Sequence, residues 1–171
     1  MSAVNWHNPF HVNLDFPGHD DHPVSAPTYG NFGGPSYSAG QFLDSPNPAP
    51  ANPVPVDALD QAFQDHDAAS GAAATAAEQS AADLALIQAI QAVDPGMIDA
   101  GAGLYGGAAT LAMVEQLAAR GDLDLLPPEA LLAIAGEAIR DIGEGLAGLD
   151  AEDAAGVNAW LAAQDGGWLF S

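Results

Sequence analysis

The sequence predicts a mainly α protein: a small Ala-rich bundle of about five helices, preceded by a long extended arm of Pro, Gly and aromatic residues that holds one short β-strand. Three observations predict it. Apolar residues recur at helical spacing from Val56 onward in a background of alanine. Only one strictly alternating run occurs, Phe10 to Phe16, and it lies in the front part. Between the two, Asn47-Pro-Ala-Pro-Ala-Asn-Pro-Val-Pro55 can sustain neither helix nor sheet. The division that follows is a docking arm with a proline-rich spacer over 1–55 and an acidic helical domain over 56–171.

Within the alternating run, Phe10, Val12, Leu14 and Phe16 share one face, while His11, Asn13 and Asp15 share the other. Val4 and Trp6 extend the apolar face. Pro9 and Pro17 flank the run, which predicts a short edge strand. A buried backbone N–H or C=O left without a partner costs about 1–3 kcal/mol. With no second alternating run to pair with, the strand is expected to borrow another copy, another protein, or an irregular segment of its own arm. From Pro17 to Pro55 the chain reads as punctuated coil, with Tyr29, Phe32 and Tyr37 as aromatic anchors between glycine turns. The Asn47–Pro55 stretch is a stiff spacer of about 3 Å per residue.

Asp57 is placed to cap a first helix whose Leu59 and Phe63 share a stripe and which ends near Ser70-Gly71. A second helix runs through the alanines to about Val93 with Leu84, Leu86, Ile87 and Ile90 turned inward, and Asp94-Pro95-Gly96 stops it. A third starts near Leu104 or Ala108 and stops at Gly121. Pro127-Pro128-Glu129 opens the fourth, whose stripe is Leu131, Ile134, Ala135, Ala138, Ile139, Ile142, Leu146 and Leu149. Asp150 to Asp153 caps a fifth, through Val157, Trp160 and Leu161.

Charge excludes whole classes of partner. Among 171 residues there is no Lys, Arg occurs only at Arg120 and Arg140, and the formal charge is −21, of which −4 falls in the arm and −17 in the remainder. Phosphate backbones and anionic membranes need cations that this chain lacks, so no nucleic acid is expected. High salt, a divalent-rich exterior or a basic partner would each ease the self-repulsion. The uncharged window from Ala100 to Val114 is shorter than the ~20 residues of a membrane span. Its glycines, with those from Gly96 to Gly107, suggest a tight loop-to-helix packing seam.

Absence of Cys removes disulfides, thiolate metal sites and thiol nucleophiles. The first residues lack the basic and apolar regions of a secretory signal, so localisation stays open, with an extracellular or virion setting reached without such a signal. The tail Gly166-Gly167-Trp168-Leu169-Phe170-Ser171 fits either an export signal or, more simply, a segment that packs on the core.

The sequence offers three kinds of candidate site. His7, His11, His19, Asp20, Asp21 and His22 offer imidazole and carboxylate ligands for a divalent metal, or an axial ligand for haem, with Tyr29 or Tyr37 as second partner. Pro9 argues against a helix across His7 and His11, so the plainer reading is a solvated polar face. Asp65-His66-Asp67 fails as a calcium loop because Ala69, Ser70 and Ala76 fall where ligand, glycine and glutamate are required. For catalysis the helical part has a few hydroxyls and one imidazole, His66, with no nucleophile or phosphate-binding motif, and Glu137 with Asp141 reads as a wet helix face.

The expectation is therefore a non-enzymatic structural or assembly subunit that needs no cofactor. Its arm would dock on a protein partner or a second copy through Trp6, Phe10, Val12, Leu14, Phe16, Tyr29, Phe32, Tyr37 and Phe42. The alternative is an exported metal- or haem-binding protein that uses the histidines of the arm.

Overall fold

A computed structural model describes residues 3–13, 23–42 and 53–163, with the backbone alone over 7–13, 23–25 and at 163. The protein is mainly α, as expected: α1 Ala58–Ala72, α2 Ala76–Gln91, α3 Ala100–Arg120, α4 Pro128–Gly148 and α5 Ala151–Ala163. The strands are β1 Val4–Asn13, β2 Pro23–Tyr29, β3 Tyr37–Ser38 and β4 Gln41–Phe42.

Local chemistry sets the helix ends. Asp57 accepts the Asp60 N–H to open α1. Thr75 and Glu78 form a reciprocal capping box on α2. Asp99 accepts the Ala102 N–H, so α3 begins at Ala100, four residues before the earlier of the two expected starts. The glycines that suggested a loop are thus largely helical, because packing outweighs their weak propensity. Gly121 closes α3 with φ +79°, and the Asp150 carboxylate accepts the N–H groups of Glu152 and Asp153 at the start of α5.

Successive helices pack α1 on α2, α2 on α3 and α3 on α4, and α5 turns back to cover β1. The α3–α4 contact is the most extensive, and two glycines permit it. A Cβ on Gly107 would lie 2.6 Å from the Ala138 carbonyl oxygen, and one on Gly145 would lie 2.7 Å from the Ala100 carbonyl oxygen. Both obstacles are backbone, which cannot step aside.

The lone-strand expectation is resolved within the arm itself. β1 pairs antiparallel with β2, Val4 opposite Tyr29 and Asn5 opposite Thr28, then Phe10 opposite Ala26 through Asn13 opposite Pro23. A shift of register separates the two stretches. Pro9 and Pro27 both fall in that irregular section, where no ladder N–H is required of them. This explains why a segment with prolines at 23 and 27 serves as a strand. β1 is also longer than the short strand expected. β3 and β4 form a small second hairpin, Tyr37 opposite Phe42. Leu14 and Phe16, and most of the proline spacer, lie outside the described residues.

One buried cluster runs across the compositional boundary at residue 55. Val4, Trp6, Tyr29 and Phe32 of the arm pack with Leu59, Phe63, Leu86, Leu104 and Val157 of the helices. A second cluster, Ile87, Leu117, Leu126 and Ile134, sits deeper in the bundle.

Candidate functional site: the arm, the buried polar networks and the outer face of α4

The base of the arm is held by a carboxylate. Asp60, fully buried in the first turn of α1, accepts the backbone N–H groups of Asn31 (3.0 Å), Phe32 (2.9 Å) and Val56 (2.9 Å). The turn that presents these amides needs glycine at Gly30, where φ is +52° and a Cβ would run into the Asp60 carboxylate. Tyr29 adds a hydrogen bond from its hydroxyl to Asp57 and stacks on Tyr105, ring centres 5.3 Å apart. Phe63 meets Tyr105 edge-on at 5.6 Å, and Trp6 lies 6.2 Å from Trp160 of α5. Burial and nearby carboxylates push the Tyr29 and Tyr105 phenols far above the usual range, and burial pushes Tyr37 up as well.

These contacts correct three of the expected docking residues. Trp6, Tyr29 and Phe32 are 6%, 1% and 5% exposed and face the chain's own helices, so they are core and not partner-facing. Aromatic area of that size is buried wherever a partner surface exists, and the helices supply one. Tyr37 and Phe42 are half-buried and touch each other across the β3–β4 hairpin. Phe10 and Val12 stand at alternate positions of β1, opposite Ala26 and Val24. His7 and His11 are also on β1, His7 within the stretch from Asn5 to Phe10 where the register shifts and His11 opposite Ser25. His19, Asp20, Asp21 and His22 lie outside the described residues, among which no three metal-ligating side chains converge.

A second buried network joins α1, α2 and α3. Asp83 is wholly buried and accepts hydrogen bonds from Arg120, from His66 Nε2 at 2.8 Å and from Gln79 at 3.3 Å. Arg120 Nε also donates to Ser80, whose hydroxyl donates to Asp122 at 2.5 Å. Burial pushes the Asp83 carboxyl up, but the hydrogen bonds from His66 and Arg120 and the Arg120 charge outweigh it, leaving it below the ordinary carboxylate range. One residue after His66, burial raises Asp67, whose Oδ2 is buried without a partner.

Ser70, His66 and Asp83 look at first like a nucleophile, base and orienting acid. Their geometry does not work as one. Ser70 Oγ lies 3.4 Å from His66 Nε2, the same nitrogen that meets Asp83, whereas a relay needs the hydroxyl and the carboxylate on opposite ring nitrogens. Gln79 donates to Ser70 at 2.6 Å as well. Asp65 to Gly71, tested as a calcium loop, is simply part of α1.

On α4, Arg140 donates to Glu137 at 3.0 Å and to Asp141 at 3.3 Å, which makes the Glu137 and Asp141 pair an exposed ion-pair face. These side chains rim a groove of about 240 Å³ between α3, α4 and the end of α2. The expected inward stripe of α4 proves too broad: Ile134 and Ala138 are buried, but Ile139 is 62% and Leu146 49% exposed. Leu132, at the same spacing of seven, is 75% exposed. That spacing was the signal available in the sequence. The partners of Asp60 and Asp83 carried none, since they come from segments remote along the chain.

No helix among the described residues is long and apolar enough to cross a membrane. The fold defines an acidic α-helical bundle with a β-ribbon arm laid against it. Comparison with protein-family models, with curated proteins and with solved structures finds no match.

Proposed function

We propose that this chain is a non-enzymatic structural subunit of a larger assembly, and that its arm adds to a neighbouring subunit through the distal half of the β1–β2 ribbon. The observation that carries the reading is that this ribbon has only two strands among the described residues. A two-stranded ribbon is marginal in water unless a third strand or a packed face supports it. The base has that support, from Trp6 and Tyr29 on the helices. The distal stretch, Phe10–Asn13 with Pro23–Ala26, is where a neighbour's strand would add, with affinity from the backbone ladder and specificity from alternate side chains such as Phe10 and Val12. The anchored base then fixes the direction in which the ribbon leaves the bundle. A part-buried hydroxyl and imidazole beside a buried acid, arranged for packing and not for proton relay, support the non-enzymatic part.

Hydrogen exchange tests this on the full chain, free and within the native particle purified from its source. The amides of Phe10 to Asn13 are expected to gain protection in the particle. A chain that travels as a monomer from its source, or a particle in which those amides exchange as in the free chain, defeats the reading.

A further inference from the structure

We infer that the outer face of α4 is a self-complementary seam on which a second copy of this chain docks, α4 against α4 in antiparallel fashion about Ile139. This inference uses a surface separate from the arm and stands without the ribbon's docking. Leu132, Ile139 and Leu146 are 75%, 62% and 49% exposed, and a spacing of seven places them along one line of the helix. Such a line fits another helix.

The identity of that helix comes from the pattern around Ile139. Leucines stand seven residues to either side, Leu132 and Leu146, and small residues stand four to either side, Ala135 and Gly143. A two-fold contact requires the same patch to serve both partners, residue i on j and j on i. With the axis at Ile139, Leu132 meets the other copy's Leu146 and Ala135 stands level with its Gly143, so between the large layers the two backbones face each other across small residues. Gly143 has no packing reason within the chain, since a Cβ there would meet nothing within 4 Å. In a sequence that uses alanine so freely, glycine on an exposed helix face is unfavourable for the monomer and useful where another backbone approaches closely.

Charge agrees with this choice. Three of the four acids of α4, Glu137, Asp141 and Glu144, gather around Arg140 more than about 90° from the seam at 100° per residue, and the fourth, Glu129, stands at the helix start three residues before Leu132, so a partner recognised by its charge would seat mainly elsewhere. The seam positions themselves carry none. A standard interface takes about 800 Å² from each partner, and three partly exposed side chains with the small residues between them supply on the order of half of that. The contact is therefore expected in the range of about 10–100 µM, and to tighten with salt as repulsion between two copies of charge −21 is screened.

Sedimentation of the full chain at about 200 µM, about twice the upper end of that range, is expected to show a dimer that strengthens from low salt to about 0.5 M. Ile139→Glu should weaken it about tenfold or more with helical circular dichroism unchanged. Gly143→Leu should weaken it too while leaving the monomer folded. The absence of native Cys permits a direct map of direction. Oxidising a mixture of Leu132→Cys and Leu146→Cys chains should cross-link the two variants to each other. Leu132→Cys alone should not cross-link, because antiparallel copies hold those positions about 21 Å apart at 1.5 Å per residue. A full chain that stays monomeric at high concentration and salt overturns the inference, whether its own chain or a foreign helix then covers the seam. Cross-linking of Leu132→Cys to itself overturns it as well.

Discussion

The Asp60 carboxylate and the Phe32 amide meet at 2.9 Å, so the first turn of α1 holds a loop that lies twenty-eight residues earlier in the chain. Because the same carboxylate also takes the Asn31 and Val56 amides, its removal leaves several inward-facing donors unsatisfied at once. Asp60→Ala is expected to destabilise the fold by about 3 kcal/mol and Asp60→Asn by somewhat less, since one acceptor oxygen remains. Urea unfolding followed at 222 nm and by tryptophan emission checks this. Emission should change along with the helical signal, because Trp6 belongs to the same cluster.

Asp83 makes stability depend on acid. Its folded-state value lies below the ordinary one, so its contribution is fully present above the unfolded value near 4 and is lost as pH falls through the lower folded value. General protonation of the other acids works in the opposite sense by relieving repulsion. The difference between wild type and Asp83→Asn separates the two effects. That difference is expected to be about 3 kcal/mol from neutral pH down to about pH 4, because Arg120 loses its buried partner, and to shrink below it.

The three tyrosines should resist ionisation together. Burial raises Tyr29, Tyr37 and Tyr105, with neighbouring carboxylates adding to it. A phenol raised in the folded state stabilises fully below its unfolded value near 10 and loses that contribution as pH rises beyond it. Absorbance at 295 nm is expected to stay flat past pH 10 and then to rise in one cooperative step that coincides with loss of helix. Gradual ionisation near pH 10 with the helices intact would contradict the packing described.

Glycines of α4 should divide by position. Gly145→Ala drives a Cβ against the backbone of Ala100 and Leu104, for a loss of about 1–3 kcal/mol. Gly136→Ala places its methyl in open space and is expected to stabilise the monomer by about 0.5–1 kcal/mol. Thermal melts at low protein concentration report both.

Much of the helical part was legible beforehand, and the reason is that its signals are local. A cap such as Asp57, a stop such as Gly121 and a proline start at Pro127-Pro128 act within one turn of the residue that carries them. The buried stripe of α4 is narrower than its apolar face, because periodicity tells which residues are apolar on a face and not how far the neighbouring helix reaches around it. Ile139 and Leu146 fit the helical spacing of a core stripe yet stay exposed for that reason. β2 was hidden because a strand is recognised by alternation, and Pro23 and Pro27 erase it.

By itself, then, the order of residues determined the helix class, most helix ends, the acidic composition and the presence of a strand in the arm, since each follows from spacing or composition within a short window. Only the tertiary structure decided what that strand pairs with, that Trp6, Tyr29 and Phe32 belong to the core, that Asp60 and Asp83 sit buried among distant donors, and that one line of α4 stays bare. Those outcomes depend on which surfaces meet across long separations in the chain, and free energy of burial is collected only where they do.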